Sequence, residues 1–200
     1  YHRHFSHSIF FAPIGGFLTT LIIKIFLRKH SFGRIYLPTT LGFLSHGILD
    51  VFTSYGTSIF WPLSNERVSL NIISVVDPIF TLILIIFCFF LMKTKNILFA
   101  QIGIFFSFLY LSFGYFQSYK VLKAITEIAK DRGHKIERVL LKPTIGNNIL
   151  WRSVYQSENL YYVDAVYAPI FSTSKIKEGS RFIVINKNTI FPELEFNSKQ

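Results

Sequence analysis

Four apolar stretches, residues 8–27, 35–53, 72–92 and 97–118, constrain this chain more than any other feature. Each reaches or nearly reaches the roughly 20 helical residues that cross a hydrocarbon core. A backbone in lipid must satisfy its own hydrogen bonds, so such stretches are expected as helices. The third carries one charge, Asp77, and the fourth carries none. The first is interrupted by Pro13 and Gly15-Gly16, which membrane helices tolerate because neighbouring helices satisfy the freed backbone groups. The second is the most polar, with Pro38 near its start and Ser45, His46 and Asp50 in its far half, so a buried or re-entrant helix is an alternative to a full span. A secretory signal peptide fits the first stretch poorly, because its positive residues follow the apolar run. Half of the 200 residues are hydrophobic and only 16% are charged, which excludes an ordinary soluble globule.

Taken alone, the formal charge of +10 points to nucleic acid, but its distribution argues otherwise. Residues 1–119 hold eight Lys/Arg and three acids, whereas residues 120–200 hold thirteen and eight, as expected of loops and a soluble surface. There is no nucleic-acid-binding motif, no phosphate-binding glycine loop and no nucleophile elbow, so no nucleic-acid partner is expected. The lone cysteine, Cys88, lies inside an apolar run and builds neither a disulfide framework nor a thiolate metal site. The chain begins Tyr1-His2-Arg3 and its one methionine is Met92, as expected of a fragment or a processed chain.

Lys24, Arg28, Lys29 and Arg34 lie between the first two stretches, and Lys93 and Lys95 between the last two. By the positive-inside rule these loops face the cytoplasm, which puts residues 54–71 and everything after residue 118 on the outer side. Past Ser118 the pattern becomes that of a soluble unit. An amphipathic helix is expected over 119–133, stopped by Gly133, followed by strands at 136–142, 149–156, 160–167 and 181–186 with a turn at Ser157-Glu158-Asn159. The expected fold is mainly α, a polytopic membrane bundle of about four spans over residues 1–118, with a small α+β domain over 119–200.

Four of the six histidines, His2, His4, His7 and His46, fall at the outer ends of the first two spans. Asp50 follows His46 by four residues, which puts both on one helix face with Cβ atoms about 5–6 Å apart. Carboxylates in apolar helices need partners, and a divalent cation would supply one. A hydrogen-bonded helix lock is the plainer reading of the His46/Asp50 pair. His30 and His134 stand beside basic loop residues and are expected at the surface, and Trp61 fits an interfacial aromatic belt as well as a functional role.

His2-Arg3-x-x-Ser6-His7-Ser8, Ser45-His46-x-x-x-Asp50-x-x-Thr53-x-Tyr55-Gly56-Thr57, Trp61-Pro62-Leu63-Ser64 and Val76-Asp77-Pro78 follow one another in an order that resembles the YdjM-like bacterial inner-membrane proteins, described as predicted metal-dependent hydrolases. Trp151-Arg152 before a Tyr-rich hairpin is similar to that family's C-terminal region. The resemblance implies a multi-pass inner-membrane enzyme with a divalent-metal centre, distantly suggestive of zinc-dependent phospholipases. His2, His7, His46 and Asp50 are then the expected ligands of Zn²⁺ or a similar ion. Asp77 is expected as a further ligand, as an orienting carboxylate or as general base, and Arg3 and Arg67 as groups holding an anionic substrate such as a lipid-linked ester. A small transporter or a non-enzymatic scaffold with a structural His/Asp cluster is the alternative.

Overall fold

The computed structural model describes residues 3–184. Among them are four helices, α1 (Ala12–Phe26), α2 (Phe32–Phe52), α3 (Pro78–Thr94) and α4 (Leu98–Asp131), a short 3-10 turn at Phe5–His7, and five strands, β1 (Arg138–Pro143), β2 (Leu150–Ser157), β3 (Leu160–Tyr167), β4 (Lys175–Lys177) and β5 (Arg181–Ile183). The chain divides into two compact units. One holds the residues through Ser118 together with Lys142–Ile149; the other holds Tyr119–Leu141 and the chain from Leu150 onward.

In the first unit α1 and α2 pack through small residues. A Cβ on Gly16 would sit 2.2 Å from the Thr40 hydroxyl, and one on Gly15 would sit 2.7 Å from the Phe43 ring, so the glycines that looked like helix breakers are what lets the two backbones approach. Thr39 Oγ1 donates across this seam to the Gly16 carbonyl (3.1 Å) and meets Thr20 Oγ1 at 2.8 Å. Such hydrogen bonds hold helices together where no water competes. Helix α3 starts later than the hydropathy suggests because Asp77 caps it, accepting from the Ile79 and Phe80 amides at 3.1 and 3.0 Å with Pro78 in the first turn. Residues 72–77, read as part of that span, are loop.

Helix α4 also departs from expectation: the fourth apolar stretch and the amphipathic segment 119–133 are one unbroken helix of 34 residues. No proline interrupts it, and Gly103 and Gly114 sit where Phe87 and the Ile72 carbonyl come close. Among the described residues it is the one helix long and apolar enough to cross a membrane by length and composition, while α1 and α3 are shorter apolar helices. Large apolar side chains stand exposed along all three, including Phe17, Ile22, Ile85, Phe89, Phe105 and Phe108.

The second unit is a small antiparallel sheet ordered β1-β2-β3-β4, with β5 also pairing β3. Ser157 pairs with Leu160, so the hairpin turn is Glu158-Asn159, and Glu158 takes the positive φ (53°) that such two-residue turns demand. Alternation along β2 buries Trp151, Ser153, Tyr155 and Ser157, and β3 buries Tyr162, Asp164 and Val166. Trp151, Tyr155 and Val166 meet Val121, Ile125 and Ala129, one i, i+4, i+8 face at the end of α4. Strand β4 was not anticipated; only three residues long, it leaves little alternation to read. The last two residues of the strand expected at 181–186 lie outside the described residues.

Candidate metal centre

Two backbones carry the site. Helix α2 presents His46 and Asp50 one turn apart, and the 3-10 turn brings His7 against α2 at Gly47, where a Cβ would lie 2.4 Å from the His7 carbonyl oxygen. The loop after α2 holds that turn from the other side. Ser58 N donates to Arg3 O (3.2 Å), Ile9 N to Ile59 O (3.1 Å), and the Ser8 hydroxyl to the Trp61 carbonyl. The loop is itself closed by the antiparallel bridge of Thr57 with Val68. Gly56, at φ +74°, turns the chain there in a conformation that favours glycine.

Within this frame His7 Nε2 lies 3.1 Å from His46 Nε2 and 3.3 Å from Asp50 Oδ2. One ligand atom from each of the three residues falls within 4.8 Å of the others, a group that could hold a metal ion. Two imidazole nitrogens and a carboxylate oxygen on a tetrahedral Zn²⁺, at about 2.0–2.2 Å from the ion, are about 3.4 Å apart, close to the two spacings found here. Ser6 Oγ lies 2.9 Å from His7 Nδ1, the outer-shell partner that a ligating histidine needs on its other nitrogen. His46 is exposed, whereas the Asp50 side chain keeps 13% and the His7 side chain 14% of its surface accessible. The group is therefore backed by protein and open on the His46 side.

Arg3 joins the group from behind. Its Nε is 3.3 Å from Asp50 Oδ2, its Nη1 donates to Thr53 Oγ1 at 2.7 Å, and its guanidinium lies 5.1 Å from the centroid of the Tyr55 ring. Thr53 in turn donates to the Asp50 carbonyl at 2.8 Å. Arg3 adopts φ 60°, a left-handed backbone that costs a non-glycine residue on the order of 1–3 kcal/mol and persists where surrounding contacts impose it. The guanidinium thus faces Asp50 and not an open mouth.

The other expected site residues lie elsewhere. Asp77 is not in the group: its oxygens take the amides that start α3 and the Tyr110 hydroxyl, at 3.0 and 2.8 Å, so the carboxylate is used as a helix cap. Arg67 is exposed in the loop beside Gly56 and Val68. His2 lies outside the described residues, and the His4 ring stands 5.9 Å from Trp61. His134 differs from the expectation of a plain surface residue. Its Nδ1 is 3.0 Å from the Tyr155 hydroxyl and its ring lies 4.3 Å from that of Tyr162. Sequence reasoning gave no role to Ser6, Thr53 or Gly47. The first two stood in the motif that carried the resemblance, while nothing local marked Gly47.

Helices with bare apolar faces, carrying a His-His-Asp group at the end of one pair, define a membrane protein with a candidate cation centre. Residues 1–121 match the YdjM inner membrane protein family, and the chain belongs to that family, as the resemblance implied. The match ends before Trp151. The chain is also similar to the Uncharacterized protein YfhP of Bacillus subtilis (strain 168), with 32% identity over 77 residues, 38% of this chain and 24% of that protein. The chain thus aligns with about a quarter of the length of this curated relative. No solved structure matches it.

Proposed function

We propose that this chain is a membrane-embedded, metal-dependent hydrolase acting on a phosphoester or other ester of a lipid-linked substrate, with His7, His46 and Asp50 holding the cation, Zn²⁺ by donor set. The observation that carries the reading is the convergence of two imidazoles and one carboxylate, one ligand atom from each within 4.8 Å of the others, with one side open. When bound, such a cation supplies Lewis acidity toward a water and an ester oxygen. Ser6 orients His7 through Nδ1, and Arg3 with Thr53 fixes Asp50, whose Oδ2 faces the His7 imidazole. In this reading Asp77 builds α3 and stays out of the ligand set, and Arg67 meets an anionic substrate from the loop after α2.

The same reading takes α1 to α4 as a four-span bundle in the bacterial inner membrane, with the metal group and the C-terminal unit on the outer side. Its support is the exposed apolar side chains along α1, α3 and α4 and the cluster of Lys24, Arg28, Lys29 and Arg34 around the α1–α2 turn. Metal analysis of purified wild type against the double variant His46→Ala, Asp50→Ala tests the centre. Wild type is expected to hold one ion and the variant none, and near-zero occupancy in both would remove the reading. Chelator-sensitive hydrolysis of p-nitrophenyl phosphate tests the chemistry; an ion that stays bound with no turnover of any ester would leave a structural cation instead.

A further inference from the structure

A groove of about 290 Å³ runs along the α1–α2 pair and ends at His46, lined by Thr19, Thr39, Gly42, Phe43 and His46. Its chemistry is more apolar than its residue names imply. The Thr39 hydroxyl is taken up by the carbonyls of Gly16, Ile35 and Tyr36 and by the Thr20 hydroxyl. Phe43 forms a fixed wall, packed against Gly15 and edge-on to Phe11.

Gly42 leaves open space beside the groove. Glycine disfavours helix and is normally found in one where a neighbouring backbone or side chain must come close. Gly15, Gly16 and Gly47 on this helix pair all have such a neighbour, whereas a Cβ on Gly42, like one on Gly33 in the first turn of α2, would meet nothing within 4 Å. The space is not required by packing, and it lies one helical turn from His46, on the same face. From His46 to Thr39 the groove descends seven residues along α2, about 10 Å. At its end His46 is shared with the group of His7, His46 and Asp50.

We propose that this groove receives the hydrocarbon tail of the substrate, so that a lipid ester reaches the cation sideways from the bilayer, and that Gly42 sets the room for the tail. The inference rests on the hydrolase reading for its substrate class and on the groove for its residues. A tail lying along Thr39 and Gly42 leaves the head group at His46, where the exposed imidazole opens on the same groove.

The test compares purified wild type with Gly42→Leu and Gly42→Phe on long-chain (dipalmitoyl) and short-chain (dihexanoyl) phosphatidylcholine, with metal content measured on each. The expected result is that the long-chain to short-chain ratio of kcat/KM falls by about tenfold or more in Gly42→Phe and less in Gly42→Leu, at equal metal content. An unchanged ratio would overturn the proposal. If the bulky variants do not fold, Gly42→Ala, which adds one methyl group and favours helix, should still lower the ratio. Should wild type turn over neither lipid, phosphatidylcholine is not its substrate and labelling decides the groove. In phosphatidylcholine vesicles doped with a phospholipid carrying an acyl-chain diazirine, irradiation should mark residues 39–46 more heavily than the exposed face of α3, and Gly42→Phe should abolish the excess. Equal labelling of both faces, or an excess that survives the substitution, would sink it.

Discussion

The two units each bury a carboxylate beside an arginine, a histidine and tyrosine, and they use it in opposite ways. In the second unit Asp164 is 4% exposed and both its oxygens are occupied. Oδ2 accepts from Arg132 Nη1 at 2.6 Å and Oδ1 accepts from the Gly179 amide at 3.1 Å. Arg132 reaches on to the Tyr155 hydroxyl at 2.8 Å and lies 3.0 Å from Glu178, and His134 completes the cluster. In the first unit one oxygen of Asp50 faces both Arg3 and His7 at 3.3 Å, ion-pair distances beyond the usual range for charge-assisted hydrogen bonds. The Asp164 cluster ties strands to a helix end through hydrogen bonds to both carboxylate oxygens. The Asp50 cluster is charge-paired at longer distances, with His7 on the same oxygen as Arg3. Residue types alone do not separate the two clusters; the hydrogen bonds that each carboxylate accepts do.

The largest effect that sharpens this contrast is expected from Arg132→Met, which leaves Asp164 buried without its cation. The C-terminal unit should lose about 3–5 kcal/mol, read as lost hydrogen-exchange protection in β2 and β3. The corresponding change in the first unit, Asp50→Asn, should act through the ion. With metal at 100–1,000 times Kd, wild type should gain about 2.7–4.1 kcal/mol over its chelated form, and Asp50→Asn should show no chelator-dependent shift in Tm. A shift of wild-type size in that variant would break the comparison. Asp77→Ala should cost about 0.5–2 kcal/mol as a lost helix cap while leaving metal content unchanged; loss of the ion in this variant would return Asp77 to the ligand set.

The smallest effects concern pH. Burial pulls the Arg132 guanidinium down, but its bond to Asp164, its bond to Tyr155 and the Asp164 charge outweigh this and hold it above the ordinary arginine value. Burial raises the Tyr155 hydroxyl above its ordinary 10.0, and Arg132 partly offsets the rise. Both groups have a raised folded-state pKa, so their contribution is present in full below the unfolded value and is lost only as pH climbs through the folded one. The part of the second unit's stability that these two groups contribute should therefore weaken as pH rises above about 10. The metal centre should behave in the reverse sense and release its ion on acidification, because ligating imidazoles must be neutral. Parallel titrations of metal content and of unfolding would reveal whether the two clusters part in this way.

Much of the architecture was legible from periodicity and composition. The apolar runs of α1, α3 and α4, the β2–β3 hairpin and its turn follow from 3.6- and 2-residue patterns. Boundaries were less legible wherever a local hydrogen bond overrides hydropathy: Asp77 starts α3 five residues inside an apolar run, and α4 runs past Ser118 because no residue there stops a helix. His46 and Asp50 were readable as a pair from spacing within one helix, and the resemblance added His7. The position of Arg3 behind Asp50 was not readable, because it depends on a left-handed residue and on a loop some fifty residues away in sequence. Asp77 was misplaced for a related reason: a carboxylate before proline is as good a cap as a ligand, and only the Ile79 and Phe80 amides distinguish the two.

Gly47, the point where the 3-10 turn meets α2, governs whether His7 arrives at all. The nearness of one main chain to another fastens that histidine, and a single methyl group at position 47 would occupy the gap. Gly47→Ala should thus make α2 a better helix and the protein a poorer metal binder at once. Selection for sturdiness and selection for the ion would pull this residue in opposite directions.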